Sequence, residues 1–194
     1  ALVNRDAQAL ERARRELDRE VREVAFEQWL FFEQWAGIQR QARERGIRIL
    51  GDIPIFVAHD SADAWAHPDL FYIEPDGRCS VVAGVPPDYF SATGQRWGNP
   101  LYRWKAHAKE GYAWWVQRIR HTFELVDLVR IDHFRGFQGC WAIPADEPTA
   151  VTGRWEESPG RALFATLQEK HPGLPIVAED LGVITAEVEN LRHD

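Results

Sequence analysis

The sequence predicts an α/β fold built on parallel strands, and three observations carry that reading. Short apolar runs at 47–50, 126–131 and 176–178 each follow a segment of helical period. Strands that alternate with helices pair in parallel through right-handed crossovers. Each run gives way to a carboxylate, at Asp52, Asp132 and Glu179. Parallel α/β folds, and (β/α)8 barrels above all, gather their chemistry at the carboxyl ends of the strands. A whole barrel needs eight strands and about 250 residues. Three strands are legible here, and the 194 residues contain no methionine, not even at position 1. The expectation is therefore the central part of a (β/α)8 TIM barrel with long loops after the strands. Residues 1–194 form one partial catalytic domain, a fragment whose outer strands expose their edges. Alone it is expected to be inactive and poorly stable.

The elements follow in order. Leu10, Ala13, Leu17, Val21 and Val24 recur at spacings of three and four, a single apolar stripe on a helix over 1–25. Asn4 or Asp6 can cap its start. A second helix over 26–45 begins with a run of aromatics, and Gly46 supplies the left-handed residue that ends it. The first strand follows at 47–50, and Asp52 falls just past its end.

Residues 55–104 form an excursion far longer than an ordinary connection. Glu74-Pro75-Asp76-Gly77 signals a turn, which places a hairpin near 70–83. The segment 84–100, GVPPDYFSATGQRWGNP, is rich in glycine, proline, aromatics and amides. Such loops are expensive to order and commonly bind ligands; a self-packed Ω-loop is the other reading. Tyr89, Phe90, Trp97, Tyr102 and Trp104 can supply stacking faces. Asp88, Gln95 and Asn99 can supply hydrogen bonds to hydroxyls.

Helical period returns over 106–124, with Tyr112, Trp115, Ile119 and Phe123 on one side. The central strand follows, and side-chain alternation puts Leu128, Arg130 and Asp132 on one face. Residues 134–157 read as irregular. Ser158 and Pro159 have the N-cap and N1 pattern of a helix that runs to Lys170. After the strand 176–178, Thr185 caps a last helix, with Glu187 in its first turn.

Composition narrows the function. A net charge of −7 and the lack of a basic tract argue against nucleic acid. No apolar run is long enough to span a membrane. Cys79 and Cys140 are too few for a disulfide framework or a cysteine metal site, which fits a reducing cytoplasm. Nine tryptophans suit a surface that stacks on rings as well as a heavy core.

Asp132 and Glu179 end successive strands, which as sheet neighbours lie about 5 Å apart. Two carboxylates facing one cavity suit glycosidic bond cleavage, and retaining enzymes hold them about 5–5.5 Å apart. Arg130 stands beside Asp132 and favours its ionised form, as a nucleophile requires. Glu179 has Val177 and Ala178 before it and no adjacent cation, as a proton donor requires. His133 and Arg135 can bind hydroxyls, and His133 can equally be a packing residue. A divalent metal held by Asp52, Asp132 and Glu179 is the competing reading; the paired Arg130 and the tryptophan-rich loop favour sugar.

Four stretches, GDIPIFVAHDSADAWAHPDLF at 51–71, GVPPDYFSATGQRWGNPLYRW at 84–104, LVRIDHFRGF at 128–137 and AEDLGVIT at 178–185, resemble the 4-α-glucanotransferases of glycoside hydrolase family 77 in the α-amylase clan, also called amylomaltases or disproportionating enzymes. The resemblance runs over nearly the whole chain. It implies a retaining transfer of α-1,4-glucan segments between maltooligosaccharides, with no cofactor or metal. Asp132 is implied as nucleophile and Glu179 as general acid/base. Arg130 and His133 would contact the sugar, and Asp52 would lie close by. Asp88, Phe90, Gln95 and Trp97 would sit on a loop over the glucan, with Trp97 as stacking platform. The family's third catalytic aspartate belongs to a His-Asp motif on a later strand. His193-Asp194 has that pattern but reads as the end of the last helix. A hydrolase of the same clan and a non-catalytic glucan-binding module are the alternatives.

Overall fold

The computed structural model describes residues 1–193. Of the His-Asp pair read as a helix end, His193 closes the last helix, while Asp194 lies outside the described residues.

Helix α1 (Ala7–Glu16) starts where Asp6 accepts a hydrogen bond from the Ala9 amide. Helix α2 (Asp18–Glu44) follows after a break at Leu17. The predicted first helix is thus split. Leu10 and Ala13 of its stripe are partly buried, while Leu17, Val21 and Val24 stay exposed. Trp35 and Gln39 of α2 donate to the Leu125 and Glu124 carbonyls at 2.6 and 3.1 Å, which ties α2 to the helix before the central strand. Gly46 adopts φ 69°, as its role as a stop requires.

Strand β1 is Leu50–Pro54, three residues later than predicted. Ile47 stays exposed, and pairing begins only where the chain meets its partner strand. Asp52 is consequently inside the strand, not past its end. Gly51 is required there: a Cβ would lie 2.9 Å from the Val126 methyl groups. The excursion then holds α3 (Ala62–Ala66), β2 (Val81–Val85) and β3 (Gln95–Pro100). The predicted hairpin near 70–83 survives as a single bridge, Ile73 to Cys79, with the Gly77 amide closing the turn on Glu74 at 2.8 Å.

The predicted helix 106–124 is two helices, α4 (Trp104–Lys109) and α5 (Ala113–Leu125). Gly111 and Tyr112 both take positive φ between them, and this kink buries the Tyr112 ring. Strand β4 (Leu128–Asp132) alternates as expected: Val129 and Ile131 are fully buried, while Leu128, Arg130 and Asp132 are half-buried on the other face. The stretch expected to be irregular contains β5 (Gly139–Pro144) and β6 (Arg154–Glu157). Helix α6 (Gly160–Lys170) starts one residue later than predicted, with Pro159 as cap. Strand β7 (Ile176–Ala178) and helix α7 (Ala186–His193) complete the order.

Two sheets result. The parallel one runs β1-β4-β7, with Asp52 opposite Arg130 and Ile131 opposite Ala178. The antiparallel one runs β3-β2-β5-β6. Both excursions therefore meet in one second sheet instead of forming separate loops. The core beneath is aromatic: Trp115, Phe71 and Phe137 are almost wholly buried, joined by Tyr102 and Trp114. No helix among the described residues is long and apolar enough to cross a membrane.

Candidate active site

The parallel register of β1 and β4 sets the site. Asp52 and Arg130 are partners in the ladder and share a face. Arg130 Nη1 donates to both oxygens of Asp52, at 2.8 and 2.9 Å. Its Nη2 donates to Asp132 Oδ1 at 2.8 Å and also to Glu179 Oε1. One guanidinium thus gathers the carboxylates of all three parallel strands. These bonds hold its protonated form above the ordinary arginine range, that from Asp52 most and that from Asp132 next. The cation that these three carboxylates share is Arg130.

Two acceptors on one nitrogen lie no more than about 6 Å apart at ordinary hydrogen-bond lengths. Asp132 Oδ1 and Glu179 Oε1 therefore lie closer than the about 6.5–9.5 Å that separates an inverting pair. The expectation that Glu179 has no adjacent cation is corrected: it contacts the same nitrogen as Asp132, because β4 and β7 pair directly. Neighbouring charge does not distinguish the two. Enclosure does: the Glu179 side chain is 13% exposed against 46% for Asp132.

His133 follows Asp132 in a left-handed conformation, φ 54°. Its amide donates to Glu179 Oε2 at 2.7 Å. Its ring is enclosed against Phe56 and stands edge-on to Trp97, 4.8 Å between centroids. Burial first, and the charge of Arg135 second, push its pKa down to about 4, against the pull of Asp132. The ring is neutral at pH 7. Trp97 on β3 is 39% exposed, and its indole donates to Gln95 Oε1 at 3.0 Å. Gln95 thus fixes the orientation of the Trp97 ring.

Asp88 and Phe90 are not part of this cluster. Asp88 Oδ1 accepts the amides of Phe90 and Ser91, at 2.8 and 2.7 Å, and so locks a tight turn. Tyr89 and Phe90 stand at its tip, 98% and 94% exposed. Phe56 and Gly136 escaped the sequence reading. Phe56 packs on both His133 and Trp97. A Cβ at Gly136 would lie 3.0 Å from the His133 ring and 2.8 Å from Ile55. The signal for both was their place four residues after a candidate carboxylate, Asp52 or Asp132.

A family model described as 4-alpha-glucanotransferase matches residues 1–194. The chain belongs to the 4-alpha-glucanotransferase family. It is 57% identical over 191 residues to the 4-alpha-glucanotransferase of Thermus thermophilus, covering 98% of this chain and 38% of that protein. It is 50% identical over 166 residues to a chloroplastic/amyloplastic 4-alpha-glucanotransferase of Solanum tuberosum, covering 86% of this chain and 29% of that protein. Its fold is similar to an amylomaltase from Streptococcus agalactiae in complex with acarbose, with TM-score 0.96, 41% identity, and coverage of 98% of this chain and 39% of that one. The chain thus spans well under half the length of these members of the family.

Proposed function

We propose that this chain carries the nucleophile and the acid/base of a retaining 4-α-glucanotransferase, set on three strands of a (β/α)8 barrel, with 55–104 as its substrate-binding insertion. The observation that carries the reading is the shared contact of Asp132 and Glu179 with one Arg130 nitrogen. It brings two carboxylates from adjacent strands close together, which supports a double displacement over an inverting mechanism. Family membership and the likeness to an amylomaltase in complex with acarbose support a glucan as substrate.

The Asp132 carboxylate attacks the anomeric carbon of an α-1,4-linked glucose unit, and the glycosidic bond breaks. Glu179 gives its proton to the departing oxygen, which leaves as the 4-hydroxyl of the released segment. The donor segment stays as an ester on Asp132. Glu179, now ionised, takes the proton of an acceptor's 4-hydroxyl, and that oxygen displaces Asp132. The more enclosed Glu179 suits the residue that carries a proton in one step. Arg130 fixes the geometry, and Asp52 fixes Arg130. Trp97 stacks on a sugar ring.

Transfer and hydrolysis share the ester and differ only in its acceptor. The test is product analysis with maltotriose, using the longest natural chain that contains this sequence and its Asp132→Asn variant. Glucose with longer maltooligosaccharides, lost in the variant, is the expected result. Glucose and maltose alone identify a hydrolase. A folded protein that binds glucan without products is a binding module.

A further inference from the structure

We infer that His133 is a positioning residue: its ring, seated under Trp97, holds a left-handed backbone that aims the His133 amide at Glu179. The inference rests on the proposed role of Glu179. A left-handed conformation is uncommon for residues other than glycine, although histidine adopts it more often than most, and φ is 54° at His133. The conformation persists because the ring is held on several sides. Phe56 and Trp97 contact it, and Gly136 leaves the space it occupies. Its Nε2 is buried without a hydrogen-bond partner among the described residues, so no bond to that nitrogen accounts for the seat. What the conformation delivers is the amide, 2.7 Å from Glu179 Oε2. Glu179 Oε1 is on Arg130. The carboxylate is thus gripped at both oxygens, and the second grip comes from main chain.

The charged groups around Glu179 are Arg130 and Asp132 on β4, Asp52 across the guanidinium on β1, and Asp180 next in sequence, which is paired with Arg192 at 2.7 Å. Arg135 lies two residues past His133. All keep their charge when His133 is replaced. An amide proton bonded to a carboxylate oxygen is deshielded, so losing that bond moves its resonance upfield.

The test uses the longest natural chain with His133→Phe, His133→Ala and His133→Val, and reads the amide proton of residue 133 by NMR, assigned by selective labelling. In each protein Glu179→Gln identifies the downfield displacement that the carboxylate causes. Phenylalanine keeps a flat ring for the seat under Trp97, whereas alanine and valine leave the seat empty and disfavour the left-handed backbone. Phenylalanine should keep the downfield resonance, and alanine and valine should lose it. If valine does not fold, alanine alone is read. A downfield resonance retained in alanine or valine, or lost in a folded phenylalanine variant, overturns the inference. The resonance is read with or without turnover, so a wild-type protein that makes no transfer products counts against the proposed function alone.

Discussion

Asp52 faces Arg130 across the β1–β4 ladder, and both its oxygens take Nη1 of that arginine. This contact leaves Nη2 free to serve Asp132 and Glu179 together. The arginine is the hub of the site, and Asp52 is its anchor.

Asp52→Asn weakens the anchor. The expected result is a fall in kcat/KM of about 10²-fold, the scale at which a misplaced catalytic group costs rate. The melting temperature should move little, because the Asp52 side chain is 61% exposed. Arg130→Lys should cost more, since an ammonium cannot reproduce a planar fork. Steady-state transfer assays beside thermal melts check both.

Acid should weaken the fold through two histidines. Burial chiefly pushes His107 down to about 4, and His133 likewise. Both lie near 6.5 when unfolded. Between those values the unfolded chain binds the protons that the folded chain refuses, so stability falls as pH drops from about 6.5 towards 4. The slope is on the order of 1 kcal/mol per pH unit for each histidine. Urea midpoints across this range should decline, and His107→Phe should flatten the decline.

The aromatic core makes a packing prediction. Trp115 is fully buried among Tyr102, Trp104, Trp114 and Phe137. Trp115→Ala should destabilise by about 3–5 kcal/mol. Denaturant unfolding of the longest natural chain reads this, and a change below about 1 kcal/mol would mean that the site collapses without loss.

The part of the fold set by local pattern was legible in the sequence. Alternation placed Arg130 and Asp132 on one face of a strand, and the strand-end carboxylates did converge. What escaped depends on contacts distant in sequence. β2 and β5 are far apart in the chain and pair only in three dimensions. Neither 84–100 nor 134–157 has an apolar period that reveals this, and Trp97 reads as loop although it lies on β3. The kink at Tyr112 has no local breaker except Gly111. For Glu179, the neighbour in sequence is Ala178, but the neighbour in space is Arg130. A sequence shows the first and hides the second. Asp88 likewise reads as a wholly free hydrogen-bonding group, while its Oδ1 already accepts two amides of its own turn.

The central claim is that Asp132 carries the glycosyl ester and Glu179 the proton. The most direct measurement is mass spectrometry of proteolytic peptides after the Glu179→Gln variant of the longest natural chain meets α-glucosyl fluoride. Fluoride leaves without a proton donor, so the first step should proceed, while the second lacks its base. The account predicts a single hexosyl increment on the peptide containing Asp132, absent after Asp132→Asn. An increment on Asp52 or elsewhere, or an unmodified Asp132 peptide while fluoride is released and no other step clears the ester, would contradict it.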